Sequence, residues 1–172
     1  YGSATLGSAA LQHIPIEQID RIEILRGPAA SLYGADAIGG VIQIFTRQGG
    51  KTPLASIETG GGSHGQRLAN ANYSASTGDT RYAIGIAHKA TDGISAISNP
   101  GKKNYYNPDR DDYENSSLSF SASQKIATGH EAGINLLAAR AINRYDGYSA
   151  TPYDTRGKGY NGAASLWSNN QW

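Results

Sequence analysis

IPIEQIDRIEILRGPAASLYGADAIGGVIQIFTR, residues 14–47, is the stretch that decides the fold. Apolar and charged residues alternate over Ile19–Leu25, and Ile38–Thr46 is rich in β-branched and aromatic residues, so both segments are predicted to be strands. Between them, Pro28 and the alanines that follow it favour one helical turn, which Gly34 can end in a left-handed conformation. The stretch therefore predicts a compact unit of strand, helical turn and strand.

A spaced motif runs through the same stretch: (I/V)-E-(I/V)-x-R-G-P, then Y-G, then G-G-V-(I/V)-x-(I/V). The matching positions are Ile22, Glu23, Ile24, Arg26, Gly27, Pro28, Tyr33, Gly34, Gly39, Gly40, Val41, Ile42 and Ile44. An unrelated soluble α+β fragment would not match so many spaced positions. The motif resembles the end of the plug domain of TonB-dependent outer-membrane receptors. This resemblance implies a structural role in the plug for Arg26, Gly27, Pro28, Tyr33, Gly34, Gly39 and Gly40.

The composition agrees with a membrane barrel. The 172 residues include 22 Gly and 11 Tyr but no Cys or Met, and the mean hydropathy is −0.47. No run approaches the roughly 18 apolar residues of a transmembrane helix. A transmembrane β-barrel confines its lipid-facing side chains to alternate positions and so is polar on average. The absence of cysteine excludes disulfides and thiolate metal sites, and the net charge of +1 gives no reason to expect nucleic-acid binding.

A domain boundary is predicted near residues 48–53. Residues 1–50 would form the C-terminal part of the plug, and residues 51–172 would form the first strands of the barrel. The predicted barrel strands are Leu54–Thr59, Leu68–Ser76, Arg81–His88, Ser117–Lys125, Glu131–Ala141 and Tyr160–Trp172. The resemblance implies an all-β transmembrane barrel of about 22 strands around an α+β plug in the complete protein, with this chain as a partial fragment.

Loop lengths are the second argument for the barrel. Tight turns at 77–80 and 127–130 alternate with long polar segments at about 89–115 and 143–158, the asymmetry expected of short periplasmic turns and long extracellular loops. A soluble β-sandwich is the alternative. Within Arg81–His88 the larger residues fall on one face and the small ones on the other. We expect the small face to pack against the plug.

Acidic residues are concentrated in the long polar segments. Carboxylate and carbonyl oxygens are what Ca²⁺ binds, although loop acids can equally be solvated turn residues. Within the receptor family the segments look most like those of receptors for cobalamin (vitamin B12), which implies calcium as a cofactor. By this resemblance the calcium ligands are Asp92, Asp109, Asp111, Tyr145, Asp146 and Asp154. Tyr113, Tyr148 and Tyr153 are candidate ligand-binding residues, or else residues of a membrane-interface girdle.

The resemblance implies TonB-dependent transport of cobalamin across the bacterial outer membrane. Uptake of a ferric siderophore or of haem by the same fold is the alternative, and a soluble β-rich binding or adhesion module is a third. The implied partners are the cobalamin or siderophore ligand, outer-membrane lipid and TonB, whose contact segment we expect outside this chain. The four histidines are far apart in the sequence and no G-x-S-x-G motif is present, so no enzyme is predicted.

Overall fold

The computed structural model describes residues 13–28, 30–35, 37–95, 109–146 and 154–171. Short 3-10 turns lie at Ile16–Gln18 and Ser63–Gly65. Within the described ranges, no helix has the length and hydropathy needed to cross a membrane. The remaining elements, in chain order, are β1 (Ile19–Arg26), α1 (Ala30–Tyr33), β2 (Gly40–Thr46), β3 (Leu54–Gly62), β4 (Gln66–Thr77), β5 (Thr80–Thr91), β6 (Tyr113–Ala127), β7 (His130–Asp146) and β8 (Asp154–Asn170).

The first unit has the predicted order of strand, helical turn and strand. β1 and β2 pair antiparallel, with Ile24 opposite Ile42, and α1 lies between them in sequence. Gly34 follows α1 with a φ of 94°, which confirms the predicted left-handed end. β2 begins at Gly40, two residues later than predicted. The reason is the backbone: Gly40 has a φ of 136° and lies against the carbonyl oxygen of Leu25, so it forms the corner at which pairing begins.

The second unit is an antiparallel sheet in which β3 to β8 are paired in sequence order. Two-residue turns join β4 to β5 and β6 to β7, at the predicted positions. The long segments are shorter than predicted, since β5 pairs with β6 as far as Thr91 and Tyr113, and β7 pairs with β8 as far as Asp146 and Asp154. Backbone pairing does not require apolar side chains, so these strands continue into polar sequence.

The strands lengthen along the sheet. β3, β4 and β5 have 9, 12 and 12 residues, whereas β6, β7 and β8 have 15, 17 and 17. A tilted transmembrane strand needs about 9–11 residues. The later strands are therefore longer than a membrane requires.

The two faces of the sheet differ in the way expected of a barrel wall. One face carries small or polar side chains and is buried; its members include Asn70, Ala83, Ala87, Asn115, Ser117, Ser119, Ser121 and Ala139. The other face exposes large apolar side chains, among them Ile57, Ile84, Ile86, Leu118, Leu136 and Leu166. In β5 the small face packs against the first unit together with the 3-10 turn before it, which we call the plug unit (residues 13–47), because Gln18 of that unit hydrogen-bonds Gly85. The predicted orientation of β5 is thus confirmed.

An aromatic pair marks the apolar face near its tight-turn end. The rings of Tyr73 and Tyr82 lie 6.1 Å apart at an angle of 45°. Both residues stand a few positions from the Thr77–Thr80 turn, on the face that bears Ile84. In a transmembrane barrel, an aromatic girdle at the membrane interface is expected at such a position.

Candidate functional site

Asp92 connects two hairpins at the end of the sheet opposite the tight turns. Its carboxylate accepts a hydrogen bond of 3.0 Å from Arg67 Nη2, and Arg110 Nη1 lies 3.8 Å from its other oxygen. The Asp92 amide donates to the carbonyl oxygen of His64 at 3.0 Å. Because the carboxylate is 44% exposed, solvent screens these ion pairs and they position the chain more than they stabilise it.

Residues 109–112 return to the sheet beside Asp92. The amide of Asp111 donates to the carbonyl oxygen of Ile94 at 3.1 Å, and Gly93, with a φ of 70°, lies directly against the Asp111 carbonyl. Asp112 is held twice by Arg144, through the Arg144 amide at 3.0 Å and through Nη1 at 2.9 Å. Both ends of the segment 92–112 are therefore anchored to the sheet.

The described side chains do not fit a calcium site by themselves. Calcium takes six to eight oxygen ligands. Within residues 13–28, 30–35, 37–95, 109–146 and 154–171, no group of three or more His, Cys, Asp or Glu is gathered to hold a metal. Asp92, a predicted ligand, instead lies between two arginines. The assignments of Asp109 and Asp111 as ligands stay predictions.

The other predicted ligands lie where β7 and β8 end. Asp146 and Asp154 are directly opposite each other in the register, and Tyr145 is opposite Thr155. The topology therefore brings these three predicted residues to one place at the sheet end. Tyr148 and Tyr153, the candidate ligand-binding residues, lie outside the described residues.

Tyr113, the third candidate ligand-binding residue, faces the plug unit. Its ring stacks on that of His13, with centroids 5.8 Å apart and an angle of 14°, and its hydroxyl lies 3.0 Å from His13 Nδ1. Asn115 Nδ2 donates to both the Tyr113 hydroxyl and the His13 carbonyl oxygen, each at 3.0 Å. Burial lowers the pKa of the His13 imidazole below its ordinary value of 6.5. The ligand-binding role of Tyr113 stays a prediction.

Within the plug motif the structure shows what several residues do. The Tyr33 hydroxyl accepts a hydrogen bond of 2.8 Å from Gln43 Nε2, which ties α1 to β2. Arg26 ends β1 opposite Gly40, and Gly27 and Gly34 both have φ angles near 95° that few other residues adopt. Pro28 and Gly39 lie in the connections on either side of α1.

Sequence reasoning missed Gln18 and His13. Gln18 is 1% exposed and donates from Nε2 to the Gly85 carbonyl oxygen at 3.0 Å. The sequence contained one hint for Gln18, since Gly85 is the position on the small face of β5 with no side chain at all. Nothing in the sequence pointed to His13, whose partners are 100 and more residues away.

Comparison with known proteins agrees with this arrangement. Residues 2–41 match the TonB-dependent receptor plug domain. The vitamin B12 transporter BtuB of Photobacterium profundum is 38% identical over 118 residues, which are 68% of this chain and 19% of that protein. The chain belongs to the TonB-dependent outer-membrane receptors. The vitamin B12 transporter BtuB of Vibrio vulnificus is 29% identical over 167 residues, 95% of this chain and 25% of that protein.

Membership of the TonB-dependent receptors fixes the interpretation of the two units. The plug match covers β1, α1 and the start of β2, and the sheet from β3 to β8 is consistent with part of a barrel in the bacterial outer membrane. The matched proteins are receptors and transporters and not enzymes, in agreement with the sequence prediction. The chain spans about a fifth to a quarter of the length of these two relatives.

Proposed function

We propose that the complete receptor transports cobalamin across the outer membrane with energy supplied through TonB. The observation that carries this proposal is the similarity to two proteins named as vitamin B12 transporters, one of which matches 95% of the chain. The family match of the plug supports the requirement for TonB. Both cobalamin binding and coupling to TonB are proposed for the complete receptor.

The geometry suggests how the parts would share this work. Residues 92–95 and 109–112 and the ends of β7 and β8 lie at the side of the sheet away from the tight turns, the extracellular side of an outer-membrane barrel. They would form part of the surface that captures cobalamin. The plug unit lies against the small face of β5 and β6 and would block the lumen until TonB moves it.

Calcium is a separate part of the proposal. We propose that a calcium ion orders the acidic segments before cobalamin arrives. Support comes from the oxygen-rich residues of these segments and from the opposed positions of Asp146 and Asp154, since like charges directly opposite each other are destabilising unless neutralised. At Asp92 the negative charge is already balanced by Arg67 and Arg110, so calcium is not required there.

Arg67 and Arg110 favour an anionic cargo as the alternative to cobalamin. Iron complexes of siderophores are often anionic, and Arg side chains bind carboxylate and similar anions with two parallel hydrogen bonds. Arg67 and Arg110 are 71% and 66% exposed at the predicted extracellular side. Uptake of a ferric siderophore or of haem by the same fold is therefore the second candidate.

Calorimetry on the full-length receptor tests the proposal. We expect cyanocobalamin to bind, to bind more tightly with calcium than with chelator, and to lose affinity in an Asp109→Ala, Asp111→Ala double variant. Asp79→Ala is the matched control, because Asp79 lies in the tight turn at the opposite end of the sheet.

Each outcome separates one part of the proposal from the others. Binding that does not respond to chelator would remove calcium and keep cobalamin. No binding of cyanocobalamin together with binding of haemin or a ferric siderophore would replace the cargo. An equal loss of affinity in Asp79→Ala and in the double variant would show that the acidic segments have no special role.

A further inference from the structure

A short segment, residues 13–18, makes most of the side-chain contacts that the plug unit has with the barrel wall. His13 contacts β6 through Tyr113 and Asn115, and Gln18 contacts β5 through Gly85. These contacts join the start of the plug unit to neighbouring strands of the wall. The contact at Gln18 is buried, whereas the others are partly exposed.

Gln18 connects three parts of the molecule. Its side chain donates to the Gly85 carbonyl oxygen at 3.0 Å, and its own carbonyl oxygen accepts from the Arg47 amide at 3.1 Å. The Arg47 carbonyl oxygen in turn accepts from Ser121 Oγ at 3.1 Å. The beginning and the end of the plug unit thus meet at Gln18, and both are hydrogen-bonded to the wall there.

Glycine at position 85 keeps the wall around this contact uncrowded. A Cβ atom on Gly85 would lie 2.5 Å from Asn72 Oδ1, 2.8 Å from Ser119 Oγ and 3.5 Å from Gln18 Cγ. A methyl group there would displace the side-chain ends of Asn72 and Ser119, whereas its distance from Gln18 Cγ is an ordinary van der Waals contact. Gly85, the smallest residue on the small face of β5, is thus the position that Gln18 contacts.

The amide of Gln18 is only half satisfied. Its Nε2 is bonded to the wall, but within the described residues its buried Oε1 has no hydrogen-bond partner. A buried acceptor without a partner offsets much of what the neighbouring hydrogen bond contributes. The contact consequently specifies where the plug sits without binding it tightly.

We propose that Gln18 is the positioning residue of the plug, which sets its register on β5 at Gly85 and releases it when the plug moves. The proposal rests on the proposed transport only in requiring plug movement, and it does not depend on the cargo. A weak, geometrically demanding contact suits an element that has to return to the same place after each cycle.

Hydrogen–deuterium exchange of the full-length receptor in liposomes, without cargo, tests this proposal. We expect Gln18→Leu and the milder Gln18→Met to exchange about five-fold faster over residues 14–25 and 41–47, because the docked segment opens more often. Gly85→Ala should act in the same direction but less strongly, because it keeps the accepting carbonyl oxygen and disturbs the contact only through Asn72 and Ser119. Adding it to Gln18→Leu should cause no further change, since both variants act on the same contact.

Gln43→Leu is the matched control. Gln43 is also a plug glutamine with a hydrogen-bonded Nε2, but its partner is Tyr33 inside the plug and the pair is exposed. Exchange in Gln18→Leu equal to wild type or to Gln43→Leu would overturn the proposal, as would additive effects of the Gln18 and Gly85 variants. A barrel that unfolds at an unchanged temperature while plug exchange rises would distinguish positioning from general stability.

Discussion

Neighbouring glycines of the plug motif, Gly39 and Gly40, have different reasons to be glycine. Gly40 has a φ of 136°, and a Cβ there would overlap the Leu25 carbonyl oxygen, which belongs to the backbone and cannot rotate away. A Cβ at Gly39 would meet nothing within 4 Å. The motif showed both positions equally, so the sequence could not distinguish them.

Alanine substitutions exploit this difference. We expect Gly40→Ala to lower the free energy of unfolding of the plug by about 1–3 kcal/mol, because the residue would be strained. Gly39→Ala should change it by less than about 0.5 kcal/mol. Both effects can be measured by titrating the full-length receptor with denaturant and monitoring hydrogen–deuterium exchange in the plug. Equal effects of the two variants would contradict the structure.

His13 gives the plug contact a dependence on pH. Its pKa is below 6.5 when docked and returns to its ordinary value when undocked, so the docked state binds fewer protons. The contact is thus complete above pH 6.5 and is lost as the pH falls through the lowered pKa. Tyr113 faces His13, and Glu17 and Lys89 line the small cavity beside the contact.

A spin label measures this dependence. Ile16→Cys would provide a labelling site in a chain without cysteine, and Ile16 is exposed. We expect the label to become more mobile between about pH 7.5 and about pH 5 in wild type, since protonation of His13 weakens the contact. A His13→Gln variant should show much less change. Identical pH profiles for the two would contradict the assignment to His13.

At the scale of elements, alternation with a period of two was the reliable signal in the sequence. It predicted which face of β5 meets the plug, because lipid and plug demand opposite side chains on alternate residues. Strand ends were predicted less well, since pairing continues through polar residues such as Thr91 and Tyr113. The Arg67–Asp92 pair was not foreseen, because it joins residues 25 positions apart at the sheet end.

The apolar face of β5 should tolerate no charge. Ile86 is near the middle of β5 and 54% exposed, and we expect Ile86→Arg to destabilise the barrel by about 2–4 kcal/mol, the cost of Arg near the bilayer midplane. Ile94 is similarly exposed, at 58%, but lies beyond the strand, so Ile94→Arg should cost little. Urea unfolding in lipid bilayers compares them. Equal costs would argue against a lipid-facing Ile86.

For the whole molecule, the sheet has two unpaired sides. Within the described residues, β3 pairs only with β4 and β8 only with β7. Lipid cannot satisfy the hydrogen-bonding groups of such edges. The family and the sheet order were predictable from the sequence, but closure depends on strands that these residues do not include. Calcium binding by the acidic segments likewise depends on side chains that are far apart in the sequence, so the sequence alone could not decide it.

Residues 1–172 expressed alone should therefore insert poorly. We expect little heat-resistant, protease-protected material from this piece in lipid vesicles, whereas the full-length receptor should give a compact band on a gel run without boiling. The comparison uses the same lipid and the same refolding protocol for both. Efficient insertion of the piece would show that its edges pair with each other or with a second copy.

Unequal strand ends give the described part of the sheet an uneven outer edge. β7 and β8 have 17 residues each, about six more than the 11 that a tilted strand needs to cross the membrane. The excess is shared between the two ends of the sheet: Thr91, Tyr113 and Asn143 are level in the register, and only residues 144–146 of β7 extend beyond them at the outer end. At about 3.3 Å per residue and a tilt of about 45°, these residues raise this side by roughly 7 Å. A bulky particle approaching the cell would touch the tall side first. A reporter tag on the low side, after β3, would leave that first contact undisturbed.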